Sequence, residues 1–232
     1  MNAPKFAVSL MCMDFAIAGK QVSTLSQHAD SFHLDIMDGH FAPNLSLSPA
    51  WLKKVLPNSS IRNEAHVMAD DPDMWLEPLA DAGVNVVSPH VETLNTHAFR
   101  TMNAIRSLGM GTGLVLNPLT TFDSVVPLLE RIDILTIMTI DIGFAGQPFI
   151  DEMLAKIEQA AAFKAEHGLN YEIQIDGSCS EKTFAKLRAA GAETFILGNA
   201  GLFSLNRDLD QAWAQMRANY ERTTGETLPA ED

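Results

Sequence analysis

The sequence predicts an α/β fold, a single (β/α)8 or TIM barrel over residues 1–232, and three observations predict it. Short apolar or β-branched runs alternate with longer amphipathic ones eight times along the chain. The segments between successive strands are too long for hairpins and long enough for helical crossovers, which parallel strands need. Residues with catalytic chemistry recur where strands end, and the mouth of such a barrel lies at its strand C-termini.

The elements follow in order. Phe6–Leu10 reads as the first strand, followed by a helix over Ala18–His28. Ser31–Met37 is the second strand, and Pro49 opens a short helix to Leu56 at a position where a proline forfeits no hydrogen bond. Arg62–Met68 is the third strand, and Asp71-Pro72 begins a helix through Ala82 that Gly83 closes. Asn85–His90 pairs with a helix from Thr96 to Leu108, stopped at Gly109. Thr112–Leu116 precedes a helix over Thr121–Glu130, and Ile132–Ile140 precedes one over Asp151–His167. Tyr171–Asp176 leads into Ser180–Ala190, and Thr194–Leu197 into Asp208–Tyr220. The polar tail from about residue 222 is expected to fray. Eight such units in 232 residues favour a closed barrel over an open doubly wound sheet. No linker or low-complexity tract marks a second domain.

Charge narrows the partners. Sixteen Lys and Arg against 29 Asp and Glu leave a net charge of −13, which argues against nucleic acid or an anionic membrane surface. A small phosphorylated ligand stays open, because backbone N–H groups bind phosphate without basic side chains. Two cysteines, Cys12 and Cys179, make no disulfide framework and no zinc knuckle. The stretch Met1–Phe6 lacks the layout of a signal peptide, and no apolar run approaches the roughly 18 residues of a membrane span. A soluble cytoplasmic protein is expected.

The second strand states a chemistry. Side chains alternate along a strand, so His33, Asp35 and Met37 share one face while Phe32, Leu34 and Ile36 share the other. Burying a His and an Asp together is costly unless they are paired, and a divalent cation is one efficient partner. His66 and Asp176 sit at other strand ends and complete a mixed N/O set suited to Zn, Fe, Mn or Co. A His–Asp hydrogen bond within a core is the alternative. Three glycine-bearing loops follow the last three strands: Gly143-Phe144-Ala145-Gly146-Gln147, Gly177-Ser178-Cys179-Ser180 and Gly198-Asn199-Ala200-Gly201. They suit an anion held by backbone N–H groups, or are simply tight strand-to-helix turns. Met37, Met68 and Met138 are core filler or a soft lining. Met11, Cys12 and Met13 carry no signal beyond packing, and His90 with Glu92 reads as a hydrogen-bonded pair or as support for the site. None of the eight lysines falls at a strand C-terminus, which disfavours Schiff-base chemistry. With no Walker lysine and no G-x-G-x-x-G, no organic cofactor is expected.

Several segments match a known pattern in order along the chain. They are Ser9-Leu10-Met11, His33-Leu34-Asp35-Ile36-Met37-Asp38-Gly39-His40-Phe41 with Pro43-Asn44, His66-Val67-Met68, Gly143-Phe144 with Gly146-Gln147 and Phe149, Asp176-Gly177, and the Gly198 turn. On these the chain resembles the ribulose-phosphate 3-epimerase family over nearly its full length. Met11-Cys12-Met13-Asp14, Phe144–Ile150, Asp176-Gly177-Ser178-Cys179 and Gly201-Leu202-Phe203 look most like its D-allulose-6-phosphate 3-epimerase branch. The pentose-phosphate branch more typically has glycine where Ser178 and Ala145 stand.

The resemblance implies that His33, Asp35, His66 and Asp176 bind one divalent metal, with Asp35 and Asp176 as the acid/base pair. It implies that Ser9 and His66 contact the sugar and that Met37, Met68 and Met138 line the enediolate site. It places the phosphate against backbone at Gly143, Phe144, Ala145 and Gly146, at Gly177-Ser178 and at Gly198-Asn199. The implied partner is a small phosphorylated ketose whose C3 is inverted, D-allulose 6-phosphate first and D-ribulose 5-phosphate as the alternative; a homo-oligomer is expected. Two departures stand out: Ile142 replaces a usual proline, and Asn199-Ala200 replaces small hydroxyl residues. A non-catalytic phosphosugar-binding barrel has no need of both Asp35 and Asp176. A metal-free decarboxylase uses a lysine in the mouth, where this chain offers Asn63, Glu64 and His66.

Overall fold

Every residue of Ser31–Met37 (β2) is buried, which only a strand covered on both faces achieves. Phe32, Leu34 and Ile36 point outward into the layer between sheet and helices, and His33, Asp35 and Met37 point into the barrel. The computed structural model describes residues 3–230. Its other strands are β1 (Lys5–Ser9), β3 (Arg62–Met68), β4 (Val86–Pro89), β5 (Gly111–Leu116), β6 (Ile134–Met138), β7 (Glu172–Asp176) and β8 (Thr194–Leu197). All pair in parallel and in sequence order, and β1 closes on β8. The expected (β/α)8 barrel is the fold observed.

The α-helices are α1 (Ala18–Leu25), α2 (Pro49–Val55), α3 (Leu76–Asp81), α4 (Ala98–Ser107), α5 (Met153–His167), α6 (Phe184–Ala190) and α7 (Leu209–Thr224). Three sequence expectations change. The helix expected over Thr121–Glu130 is two short 3-10 turns, Phe122–Ser124 and Val126–Arg131. Pro127 is the reason, because inside an α-helix it removes one N–H donor and its ring strikes the carbonyl four residues back. The helix expected from Asp71 opens as a 3-10 turn, Pro72–Trp75, before α3 begins. The tail expected to fray from about 222 instead continues α7 to Thr224, where Gly225 caps it at φ 76°. Glu226 then pairs with Arg188 at 2.9 Å and accepts from the Tyr220 hydroxyl at 3.0 Å, and Leu228 is buried. A buried guanidinium and an apolar side chain hold that segment down; residues 231–232 lie outside the described part.

Beneath the mouth, the barrel interior carries a buried polar network among its apolar side chains. Gln174 donates to Glu64 at 2.6 Å and accepts from Thr136 at 2.9 Å, while Arg62 bridges Glu64 and Glu172. Pairing makes that burial of charge tolerable. Among the described residues no helix is long and apolar enough to cross a membrane.

Candidate active site

Register assembles the site. Ser9 lies beside His33 across β1 and β2, Asp35 beside His66 across β2 and β3, and Met138 beside Asp176 across β6 and β7. Because His33 and Asp35 are two apart on β2, both face inward, and the barrel curvature brings β7 round to meet them. His33 Nε2 is 3.4 Å from both Asp35 Oδ1 and Asp176 Oδ2. His66 Nδ1 is 3.5 Å from Asp35 Oδ1, 3.2 Å from Asp176 Oδ2 and 3.2 Å from His33 Nε2.

These spacings fit one ion. Four ligands about 2.0–2.2 Å from a tetrahedral centre are about 3.3–3.6 Å apart. The donor set itself agrees: two imidazole nitrogens and two carboxylate oxygens, within 4.8 Å of one another, with no thiolate. Within the cluster the imidazoles and carboxylates also pair with one another. Burial opposes charge on His33, but the Asp35 carboxylate and contacts with Asp176 take its pKa up to about 10. His66 is raised by Asp176 and Asp35 against the same burial. Burial pushes Asp35 and Asp176 upward, and the two imidazoles outweigh it and hold both below the usual carboxylate range. A metal would take over the charge balance that these protons supply.

Support reaches outward from the cluster. The Ser9 hydroxyl donates to Asp35 Oδ2 at 2.7 Å. His66 Nε2 is 2.7 Å from His90 Nε2, and His90 Nδ1 is 3.2 Å from Glu92 Oε2. Glu92 Oε1 accepts from the Asn117 N–H at 2.9 Å and from the Thr120 hydroxyl. His90 and Glu92 are thus joined to the site rather than being an isolated pair. Burial lowers His90 to about 4, and the His90 contact outweighs burial to bring Glu92 down to about 2.

Over the cluster opens a cleft of about 620 Å³, counted to its open mouth. Ser9, Asp35 and Asp176 form its floor with the buried Met37, Met68 and Met138. Gly143, Phe144, Ala145 and Gly146 form one rim, and Gly177, Ser178, Gly198 and Asn199 another, so all three glycine loops converge here. Two of these glycines are demanded by space. A Cβ on Gly177, at φ 120°, would come within 2.7 Å of Ile140, and one on Gly201 within 2.4 Å of the Cys179 carbonyl. The 143–147 loop is tied down by Asn44 Nδ2 to the Gly143 carbonyl at 2.8 Å and by Ser178 Oγ to the Gln147 carbonyl at 2.5 Å. Ile142 packs against both small apolar groups of the floor, Met37-Ala42-Met68 and Val115-Met138-Ile140. Its replacement of proline gives that loop an apolar anchor.

Two placements depart from expectation. His66 is fully buried and absent from the cleft lining, because both its ring nitrogens are engaged below the floor. Met11 and Cys12, read as packing, line the cleft. Burial and Asp35 push the Cys12 thiol up to about 11, so it stays protonated. Their position directly after β1 is the signal that could have found them, since residues following a barrel strand face the mouth.

Comparison with known proteins closes the question of kinship. The model of the ribulose-phosphate 3 epimerase family matches residues 5–203. The ribulose-phosphate 3-epimerase of Bacillus subtilis is 33% identical over 198 residues, covering 84% of this chain and 91% of that one. That of Rhodobacter capsulatus is 35% identical over 200 residues, with 86% of each covered. Both are isomerase-class epimerases, the enzyme class to which the sequence pointed. The 3-hexulose-6-phosphate synthase of Salmonella typhimurium shares the barrel, with a TM-score of 0.63 at 16% identity over 95% of this chain and 98% of that one, and shows the fold alone. A family model running through all eight strands, with relatives alike over more than four fifths of both chains, places this chain in the ribulose-phosphate 3-epimerase family.

Proposed function

We propose that this protein is a metal-dependent ketose-phosphate 3-epimerase that interconverts D-allulose 6-phosphate and D-fructose 6-phosphate. The observation that carries the reading is the convergence of His33, Asp35, His66 and Asp176 beneath a cleft rimmed by three glycine loops. These four residues would hold one divalent ion, Zn, Fe, Mn or Co, which supplies Lewis-acid polarisation of the ketose carbonyl. No organic cofactor enters the chemistry.

The remaining work belongs to side chains. Asp35 and Asp176 come from strands on different sides of the mouth and act on opposite faces of C3. One carboxylate removes the C3 proton, the enediolate forms, and the other carboxyl returns a proton from the far side. Both carboxyls are held low in the metal-free cluster, so the one that returns the proton must take one up before turnover, and each inversion then exchanges the two protonation states. The Ser9 hydroxyl orients Asp35 through Oδ2. Met37, Met68 and Met138 keep water from the reacting carbon. The phosphate sits against backbone N–H groups at Gly143–Gly146, Gly177-Ser178 and Gly198-Asn199, and its binding energy orients C3 between the carboxylates.

Ser178 and Ala145 support the six-carbon substrate, since both depart from the glycines typical of the pentose branch. A second reading, D-ribulose 5-phosphate and D-xylulose 5-phosphate, is favoured by the names of the relatives. Side-by-side kinetics decides between them: kcat/KM is expected to be higher for allulose 6-phosphate than for ribulose 5-phosphate. A clear pentose preference overturns the six-carbon assignment and leaves the epimerase class standing; turnover of neither removes both. A homo-oligomer remains part of this reading.

A further inference from the structure

A metal held by His33, Asp35, His66 and Asp176 places a demand on His66 that these four residues do not themselves meet. A neutral imidazole ligates through the nitrogen without a proton, and its other nitrogen then carries one. His66 turns Nδ1 to the cluster, so its proton belongs on Nε2, 2.7 Å from His90 Nε2. Two N–H groups do not point at each other across that distance. His90 therefore accepts at Nε2 and carries its proton on Nδ1, facing Glu92 Oε2 at 3.2 Å. The other Glu92 oxygen is occupied by the Asn117 N–H and the Thr120 hydroxyl. Lys156, reaching from α5, donates to the Asn117 and Pro118 carbonyls at 2.8 Å each and secures that loop. One placing of protons satisfies every contact from Glu92 to the metal-facing nitrogen.

We propose that Glu92, acting through His90, is a positioning residue that locks His66 in its Nε2–H tautomer and keeps Nδ1 free to ligate a divalent ion. This rests on the metal-dependent reading above and deepens it. Partners of this kind fix both the tautomer and the ring orientation of a ligating histidine. Glu92→Gln inverts the chain of protons with almost no change in shape. The Asn117 N–H and Thr120 O–H hold the amide oxygen, so the amide NH2 turns to His90 Nδ1. His90 must then donate from Nε2, and His66 is forced to carry its proton on Nδ1, the ligating position.

The test is a titration of the full chain, stripped of metal by chelation. Co(II) uptake is followed by visible absorption, and Zn(II) affinity is measured by competition against a chromophoric chelator. The parent, Glu92→Gln, His90→Phe and the double variant are compared. Glu92→Gln is expected to weaken affinity by about 10–100-fold, while keeping the far-UV circular dichroism of the parent. His90→Phe is expected to weaken it too, and the double variant no further, because Glu92 has no route to His66 without His90. Parent-like affinity in Glu92→Gln, or losses that add in the double variant, overturns the proposal. A parent chain that binds neither metal overturns the metal reading itself, and the tautomer lock falls with it.

Discussion

The proposed mechanism gives Asp176 two roles, to ligate and to move a proton, and a single substitution tests whether they separate. An amide is a poorer ligand and cannot relay a proton, so Asp176→Asn is expected to lower kcat by about 10²–10⁴-fold or more. Metal content, measured in the same sample, separates loss of the ion from loss of the acid/base group. With metal retained, the variant is expected to exchange the C3 proton of one epimer with D₂O through Asp35 while forming no product. Full epimerase activity in a metal-replete variant would rule out the two-carboxylate mechanism. At this scale the sequence was most legible where chemistry and spacing coincide, as in His33-x-Asp35. It was least legible at Cys12, an ordinary thiol in composition whose place in the cleft comes only from the turn after β1.

The loops after β6 and β7 act as one device, and Ser178 is the link between them. Among the described residues it alone, of those other than glycine, has positive φ, at 53°. That backbone costs an L-residue roughly 1–2 kcal/mol, whereas its bond to the Gln147 carbonyl returns about 0.5–1.5 kcal/mol. The magnitudes nearly cancel, which separates two variants. Ser178→Ala keeps the strain and loses the bond, so a fall in Tm of about 2–4 °C per kcal/mol lost is expected. Ser178→Gly loses both, so its Tm stays close to that of the parent. Both free the 143–147 loop, and both are expected to raise KM for the phosphorylated substrate; thermal melts and initial rates check this. An unchanged KM in both would mean the tether does not position the loop. The bounds of β2, β3 and β8 match those read from the sequence. The segment after β5 departs from the expected helix because its apolar spacing suits one while Pro127 forbids it.

On the metal reading proposed above, metal and fold are coupled through protons in the molecule as a whole. In the metal-free chain the His33 pKa rises from 6.5 to about 10, despite burial, because Asp35 and Asp176 surround it. Its protonated form therefore stabilises the metal-free fold fully below about 6.5, and that contribution fades as pH rises through about 10. A metal must displace that proton, so its affinity climbs with pH over the same window. Added Zn(II) is expected to raise Tm, and by more at pH 8 than at pH 6, with proton release on binding visible by calorimetry in buffers of different ionisation enthalpy. A Tm shift that shrinks as pH rises would remove His33 from the ligand set. The sequence alone determined the barrel, since eight alternations of short and long apolar periods admit few other closed arrangements, and it determined which residue types could ligate or cradle an anion. That His33, Asp35, His66 and Asp176 bring their candidate ligand atoms within 4.8 Å of one another, that His66 is sealed below the floor, and that His90 and Glu92 stand behind it, follows only from the assembled barrel. A strand's sequence states which face a side chain takes, whereas distance across a barrel depends on register, closure and curvature, which belong to all eight strands together.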